Sequence, residues 1–140
     1  MAVSSMLVKD VMTADVVTVS PTTSVYAAAK IMAEEEVGSL VVTVGEKPVG
    51  VLTERDVVRR VVAAGLSPRR TSVEDVMTSP VVVVGENTSL EEAVAIMASN
   101  RVRRLLVVRD EKLVGIVTVT DIVRALGEES AKAAPAILRG

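Results

Sequence analysis

One short motif occurs twice in this protein: GVLTERD spans residues 50–56 and GIVTVTD spans residues 115–121. Both copies have glycine, threonine and aspartate at the same spacing. When the chain is aligned with itself at a shift of 65 residues, residues 10–61 match residues 75–126 without a gap, and 24 of the 52 pairs are identical. The sequence is therefore a tandem duplication, and two copies this short are expected to bury a shared core.

Composition limits the functions open to the chain. Its 140 residues are 49% apolar, so they can bury a core, and we expect one folding unit. Cysteine and histidine are both absent, which removes disulfides, thiolate nucleophiles and the commonest metal ligands. The net charge of −2 gives no reason to expect binding to nucleic acid or to an anionic membrane. We predict no catalytic residue and no metal site.

Neither a leader peptide nor a membrane span is indicated. The N-terminal residues lack a cationic segment followed by a long apolar one, and the valine runs end well before the roughly 20 residues that a membrane span needs. These features predict a cytoplasmic protein. Glutamine is absent, and arginine and glutamate dominate the charges, a composition that also occurs in proteins of hyperthermophiles.

Within each repeat the hydrophobic periodicity changes in a fixed order. A β-rich run comes first, apolar residues at helical spacing follow it, and two apolar runs around a polar turn then predict a hairpin. The residues after the hairpin predict a second helix, which we expect to stop at Gly65 in one repeat and at Gly127 in the other. Each repeat is therefore predicted to have the order β-α-β-β-α.

This order predicts how the chain is divided. The fold class is α/β of the α+β kind, with two repeats packed as one pseudo-symmetric unit. We predict repeat 1 at residues 7–65, a linker at 66–72, repeat 2 at 73–127 and a C-terminal tail at 128–140. The tail contains Pro135 and is expected to form a short docked helix or to fray.

The two repeats resemble a tandem pair of cystathionine-β-synthase (CBS) domains, also called a Bateman module, because each opens with D-V-M-T and closes with G-x-x-T-x-x-D. The resemblance covers nearly the whole chain. It implies a regulatory sensor that binds AMP, ADP or ATP, or a related ligand such as S-adenosylmethionine or NAD, in two clefts between the repeats. It also implies an associated effector enzyme or transporter, and assembly into a homodimer shaped as a four-repeat disc.

The chemistry of the repeated motif suits such a ligand. Thr53 and Thr118 stand where a strand ends and a helix begins, so free helix N–H groups could face a phosphate there, and the preceding glycine would let the ligand approach the backbone. Asp56 and Asp121 could accept hydrogen bonds from the two hydroxyls of a ribose. The alternative is a capping box, in which the threonine and the aspartate serve only their own helix.

The resemblance implies further ligand-binding residues. In CBS pairs the stretch before the first hairpin strand contacts the ligand, which designates Gly38 and Ser39 in repeat 1 and Arg103 and Arg104 in repeat 2. The family pattern also assigns the opening strand of one repeat to the cleft defined by the aspartate of the other. One cleft then contains Asp15, Val16, Val17, Thr118, Thr120 and Asp121, and the other contains Pro80, Val81, Val82, Thr53, Arg55 and Asp56. For the valines, an ordinary core role is the alternative.

The two clefts differ in charge. Arginine can hold phosphate oxygens with two hydrogen bonds, and repeat 1 has no arginine at the positions of Arg103 and Arg104. Repeat 1 instead has Glu54 beside its threonine. We therefore expect the cleft that contains Asp121 to be the occupied one. The chain's one aromatic residue, Tyr26, falls in a predicted helix, so apolar side chains rather than an aromatic ring would hold the adenine.

Other functions remain open. If the motifs are only helix caps, the chain is a ligand-free dimerisation or assembly module. An enzyme would have to use Asp, Glu, Lys or Tyr26 alone, without paired carboxylates. Nucleic-acid binding would rest on a few arginines without aromatic residues to stack on bases, and we do not expect it. Those arginines are Arg59, Arg60, Arg69 and Arg70.

The last helix of each repeat carries more apolar residues than one small core needs, which predicts a homodimer. The residues concerned are Val57, Val58, Val61 and Val62 in repeat 1, and Ile122, Val123 and Leu126 in repeat 2.

Overall fold

Both G-x-x-T-x-x-D motifs lie where a strand leads into a helix, as predicted. A computed structural model describes residues 5–133, with side chains described as far as residue 128. Strand β3 (Lys47–Thr53) ends at the threonine of the first motif, and β6 (Lys112–Thr118) ends at the threonine of the second. In each motif a helix begins at the next residue, so both aspartates lie in the first turn of a helix.

The helices and strands follow the predicted order with one addition. The first half of the chain contains α1 (Val8–Val11), β1 (Thr18–Val19), α2 (Val25–Glu35), β2 (Ser39–Val44), β3, α3 (Glu54–Asp56) and a π-helical segment (Val57–Val62). The second half contains α4 (Val73–Val76), β4 (Val83–Gly85), α5 (Leu90–Asn100), β5 (Arg104–Arg109), β6 and α6 (Val119–Ala133). The short helices α1 and α4 are the addition, because a single turn is too short to produce a periodic pattern.

Each half of the chain forms one three-stranded sheet. The strand orders are β1-β2-β3 and β4-β5-β6. In both sheets the first pair is parallel and the second pair is the antiparallel hairpin that the sequence predicts. The parallel pair follows from the intervening helix, α2 or α5, which returns the chain to the same end of the sheet. The predicted α+β fold class is therefore confirmed.

The compact units of the structure divide the chain differently from the sequence repeats. Unit 1 is formed by the described residues up to Asp15 and from Val82 onward, and unit 2 is formed by Val16–Val81. The D-V-M-T segment of each repeat belongs to the unit that holds the other repeat's hairpin. In unit 1, Thr13 pairs with Ile116 of β6, and in unit 2 Thr78 pairs with Val51 of β3. The two repeats thus exchange their opening segments.

Each unit has its own apolar core, and the exchanged segments contribute to both. The core of unit 1 contains Val8, Val84, Leu90, Ala93, Met97, Leu105, Val107, Val117, Ile122 and Ala125. The core of unit 2 contains Val19, Val25, Ala28, Met32, Leu40, Val42, Leu52, Val61, Val73 and Val76. Val8 of the first repeat is therefore buried with residues of the second, and Val73 and Val76 of the second repeat are buried with residues of the first.

Two predictions about the last helices need correction. Gly65 follows the π-helical segment with a φ of +76° and stops that helix, as predicted. Gly127 does not stop its helix, because α6 continues to Ala133 with Gly127 inside it. Val61 and Ile122 were expected on the partner surface, but they are buried in the cores at 0% and 4% exposure. The predicted tail lies outside the described residues from position 134 onward.

Candidate functional site

At the first motif, Thr53 and Asp56 form a capping box at the start of α3. The Asp56 carboxylate accepts a hydrogen bond from the Thr53 N–H at 3.0 Å, and the Thr53 hydroxyl accepts one from the Asp56 N–H at 3.0 Å. The Glu54 N–H donates to the Gly38 carbonyl at 3.0 Å. These bonds occupy N–H groups that were expected to be free for a phosphate. Thr53 and Asp56 therefore cap their own helix, as the capping interpretation predicts.

The second motif repeats this arrangement at the start of α6. The Asp121 carboxylate accepts hydrogen bonds at Oδ2 from the Thr118 N–H at 2.9 Å and from the Thr118 hydroxyl at 3.0 Å. The Asp121 N–H donates to the Thr118 hydroxyl oxygen at 3.2 Å, and the Val119 N–H donates to the Arg103 carbonyl at 2.9 Å. Both aspartates are thus held by their own helix through one carboxylate oxygen.

The two aspartates differ at the other carboxylate oxygen. Oδ1 of Asp56 accepts a hydrogen bond from the Thr78 hydroxyl at 3.3 Å and lies 3.7 Å from Nε of Arg60. Arg60 also donates to the carbonyls of Val76 and Met77, both at 3.2 Å. Asp56 is the one buried charged residue among those described, at 7% exposure. Its carboxylate is therefore enclosed by protein donors.

Asp121 keeps Oδ1 available. Within residues 5–128 no donor forms a hydrogen bond to this oxygen, and its nearest charged group is Arg124, whose Nη1 lies 3.7 Å away. The Asp121 side chain is 13% exposed. Each aspartate thus has an arginine 3.7 Å from Oδ1, and the two differ in the Thr78 hydroxyl, which donates to Oδ1 of Asp56 alone. Asp121 therefore presents a fixed and mostly buried carboxylate with one oxygen open to a ligand.

The glycines of the two motifs have a different role from the one predicted. A Cβ on Gly50 would overlap Sδ of Met77, and a Cβ on Gly115 would overlap Sδ of Met12. Each glycine therefore makes room for the methionine of the exchanged D-V-M-T segment. The prediction that these glycines let a ligand approach the backbone is wrong, because a side chain of the protein already fills the space.

The predicted residues before β2 and β5 lie beside the motifs. Ser39 pairs with Thr53 across one hairpin, and Arg104 pairs with Thr118 across the other. Gly38 and Arg103, one residue earlier, supply the carbonyls that accept from the helix starts. The Arg104 side chain is half-buried, whereas the Arg103 side chain is exposed and lines an apolar groove.

Three of the predicted valines belong to a different unit from the aspartate with which they were grouped. Val16 and Val17 are in unit 2, and Val82 is in unit 1. The Val17 carbonyl accepts a hydrogen bond from the Val41 N–H, and the Val82 carbonyl accepts one from the Leu106 N–H. Val17 and Val82 also pack against the cores of their own units. Both therefore pack as core residues do, and their contact with a ligand stays a prediction.

The remaining predicted residues share a unit with their aspartate. Asp15 is in unit 1 with Asp121, and Pro80 and Val81 are in unit 2 with Asp56. Val81 is half-buried. Besides Arg103, four predicted residues have exposed side chains, namely Asp15, Arg55, Pro80 and Thr120.

The repeated motif by itself does not indicate Thr78 or Arg60. Thr78 belongs to the D-V-M-T segment, which is 22 residues beyond Asp56 and is brought to it only by the pairing of Thr78 with Val51. Arg60 could have been noticed in the sequence, because the alignment of the two repeats places alanine, Ala125, at the equivalent position. Such a difference between otherwise matching repeats marks where the two corners diverge.

Among the described residues, no group of three or more aspartate, glutamate, histidine or cysteine side chains could hold a metal ion. The helices of this part of the chain lack the combination of length and apolar character that a transmembrane helix requires.

Comparison with known proteins agrees with the geometry. The model of the CBS domain family matches residues 8–63 and 73–128. An uncharacterised protein of Methanopyrus kandleri is 42% identical over 123 residues, which cover 86% of this chain and 62% of that protein. The chain thus spans somewhat less than two thirds of this relative.

Two solved structures are similar over most of the chain. Hypoxic Response Protein I, crystallised with two coordinated zinc ions, has a TM-score of 0.75 and 34% identity, and the match covers 85% of this chain and 98% of that one. A hexameric CBS-CP12 protein from bloom-forming cyanobacteria has a TM-score of 0.75 and 30% identity, with 96% and 85% covered. With two matched segments, exchanged D-V-M-T openings and a Thr–Asp corner in each unit, the chain belongs to the CBS-domain family and carries two CBS domains in tandem.

Proposed function

We propose that this protein is a non-catalytic regulatory module that binds an adenine nucleotide, with Asp121 as the carboxylate that recognises the ribose. The observation that carries the proposal is the open Oδ1 of Asp121. Its other oxygen is fixed by the N–H and hydroxyl of Thr118 at 2.9 and 3.0 Å. A carboxylate held in this way accepts a hydrogen bond from a hydroxyl group without having to be ordered first, so little conformational entropy is lost on binding.

The phosphate would interact with Arg104. This residue is paired with Thr118 across the β5–β6 hairpin, so it stands at the same end of the sheet as Asp121. A guanidinium group can form two parallel hydrogen bonds with a phosphate. Thr120, exposed in the first turn of α6, offers a hydroxyl to the same ligand. We leave Arg103 out of this site because its side chain lies in the apolar groove.

The corner at Asp56 is proposed to bind the same ligand more weakly. A ribose hydroxyl would have to displace the Thr78 hydroxyl from Oδ1 of Asp56, at 3.3 Å. An arginine lies 3.7 Å from Oδ1 at both corners, Arg60 at Asp56 and Arg124 at Asp121, so the arginines do not separate the two sites. The proposed preference for Asp121 therefore rests on hydrogen bonds that the protein already makes at Asp56.

A second candidate function is assembly without a ligand. The capping boxes favour it, because Thr53 and Asp56 already satisfy each other's backbone N–H groups. On this view Asp121 also serves only α6. The two candidates predict different consequences of removing the same carboxylate.

Removing the Asp121 carboxylate separates the two functions. If it binds ribose, Asp121→Ala should weaken AMP or ATP binding by roughly ten- to a hundred-fold, as expected for losing hydrogen bonds to a charged group worth about 1.5 to 3 kcal/mol. If it only caps α6, affinity should stay at the wild-type value while the free energy of unfolding falls by about 0.5 to 2 kcal/mol. Titration calorimetry gives the affinity, and urea denaturation gives the stability.

The matched control is Asp56→Ala, which removes an equivalent cap from the enclosed corner. We expect it to lower stability while leaving the tighter nucleotide affinity within a few-fold of wild type. A thermal-shift screen of the wild type with AMP, ADP, ATP, NAD, S-adenosylmethionine and a single-stranded oligonucleotide comes first, since a ligand raises the melting temperature only by binding the folded state. If none of the adenosyl compounds stabilises the wild type, the nucleotide proposal fails.

Self-association is the second part of the proposed function. Val58, Val62 and Val123 are 59%, 64% and 60% exposed, and Leu126 is 43% exposed. On the last helix of each unit, these exposed apolar residues suit contact with another protein surface. We propose that the two helix surfaces bind a second copy of this chain to form a homodimer, and an effector enzyme or transporter would be regulated by that assembly. The hexameric CBS-CP12 protein is one CBS relative that assembles from several copies.

Zinc is not proposed for this chain. The zinc ions belong to Hypoxic Response Protein I. The present sequence contains neither histidine nor cysteine, and no acidic cluster among its described residues could replace them. Carboxylates alone are a poor match for the nitrogen and sulfur ligands that zinc prefers.

A further inference from the structure

Both units carry an equivalent apolar groove beside the helix that follows the hairpin. In unit 2 the groove lies between α2 and the helix that begins at Glu54, and it is lined by Ala33 and Val58. In unit 1 it lies between α5 and α6, and it is lined by Ala98 and Val123. Alignment of the repeats makes Ala33 equivalent to Ala98 and Val58 equivalent to Val123. The two apolar surfaces are therefore built from matching positions.

The rims of the two grooves carry opposite charges. Glu36 and Arg101 end α2 and α5 in the same left-handed conformation, with φ and ψ of 56° and 43° and of 54° and 42°. Arg103 lines the groove of unit 1. Its counterpart Gly38 has no side chain, and Oε1 of Glu54 lies 3.3 Å from where a Cβ of Gly38 would be. A carboxylate thus stands at the corner where the other unit has a guanidinium.

The two surfaces can be named by these charges. The acidic face consists of Ala33, Val58 and Glu54, which line the groove, together with Glu36 at the end of α2. The basic face consists of Ala98, Val123, Arg101 and Arg103, which all line the other groove. All four charged side chains are exposed, and none forms an ion pair with another described residue. Their charges are therefore available to a partner.

Charge decides which faces can meet. Pairing two acidic faces would bring carboxylates together beside an apolar contact, and pairing two basic faces would do the same with guanidinium groups. Like charges at an interface cost several kcal/mol, whereas complementary charges favour association and suppress other arrangements. The small apolar residues of the two faces are identical, Ala33 with Ala98 and Val58 with Val123, so the rim charges are the clearest difference between the arrangements.

We propose that the acidic face of one copy docks on the basic face of a second copy. Unlike units are then in contact across the interface, and each rim carboxylate faces a rim guanidinium. This inference rests on the self-association proposed above and adds its orientation. It does not depend on nucleotide binding.

Charge reversal tests the orientation. One variant makes the acidic face basic, with Glu36→Arg and Glu54→Arg, and a second makes the basic face acidic, with Arg101→Glu and Arg103→Glu. A third combines all four changes. Sedimentation velocity without nucleotide should show about a ten- to hundred-fold higher dissociation constant for each of the first two variants, from repulsion at the rim. The four-fold variant, and an equimolar mixture of the first two, should return towards the wild-type value.

The control variant carries Glu46→Arg and Glu111→Arg, at equivalent positions in the two hairpin turns. These changes alter the net charge as much as the first variant does, and neither residue lines a groove. The control variant should associate as the wild type does, and circular dichroism should show that every variant is folded. If like faces meet, the first two variants will associate as tightly as wild type, and the proposed orientation is overturned while self-association stands. A wild type that is monomeric at tens of micromolar would overturn both, and would leave the faces to a different protein partner.

Discussion

Leu105→Ala is expected to lower the free energy of unfolding by about 2 to 5 kcal/mol, the largest effect that we predict for a single substitution in this chain. Leu105 lies in the middle strand of its sheet, is 0% exposed and belongs to the core of unit 1. Truncation removes the transfer energy of the buried methyl groups and leaves a cavity that a close-packed core can fill only in part. Urea denaturation followed by circular dichroism measures the loss.

Two comparisons make this prediction specific. Leu40 is the equivalent residue of unit 2 and is also 0% exposed, so Leu40→Ala should lower the stability by a similar amount. Leu66 is 47% exposed and lies in neither core, so Leu66→Ala should cost about 0.5 kcal/mol or less. Equal losses for Leu105→Ala and Leu66→Ala would show that the two core clusters have been identified wrongly.

Gly115→Ala is expected to destabilise the protein by about 1 to 3 kcal/mol through overpacking. A Cβ at this position would overlap Sδ of Met12 and would lie 3.0 Å from the Thr13 carbonyl oxygen. The methionine side chain can move, but the carbonyl cannot move freely because it accepts a hydrogen bond from Ile116. The same urea denaturation experiment measures the effect.

The role of Met12 can be isolated with a second substitution. Combined with Met12→Ala, Gly115→Ala should cost less than it does alone, since residues in contact show coupling energies of about 0.5 to 3 kcal/mol. Gly85→Ala is the control, because no atom lies within 4 Å of a Cβ there and it should be close to neutral. Additive effects of the substitutions at positions 12 and 115 would contradict the contact between them.

Neighbours along a hairpin can be inferred from the sequence, whereas contacts between distant segments cannot. Ser39 with Thr53, and Arg104 with Thr118, follow from hairpin register, which two short strands and their turn fix locally. The Thr78 hydroxyl reaches Asp56 only because the second D-V-M-T segment pairs with β3. A sequence pattern cannot contain that contact, since nothing in the local periodicity of either segment specifies the other.

The interpretation of the glycines failed for a related reason. A glycine at the end of a strand indicates that something approaches the backbone closely, but the pattern does not say what. We predicted that a ligand approaches these glycines, but the Met77 side chain lies against Gly50 and the Met12 side chain lies against Gly115. Gly127 illustrates a different limit, because glycine stops a helix only where the chain needs a left-handed residue, and α6 continues through this position.

The sequence by itself determined the tandem repeat, the order of strands and helices, the α+β class and the placement of a Thr–Asp pair at the start of a helix in each repeat. These features depend on short-range periodicity and turn chemistry, which the 65-residue duplication presents twice. Only the tertiary structure decided which D-V-M-T segment completes which unit, and that the Thr78 hydroxyl donates to Oδ1 of Asp56 while Oδ1 of Asp121 accepts no hydrogen bond from the residues with described side chains. The physical reason is that matching segments compete equally well on local grounds, and the choice between them is made by the packing of side chains far apart in the chain.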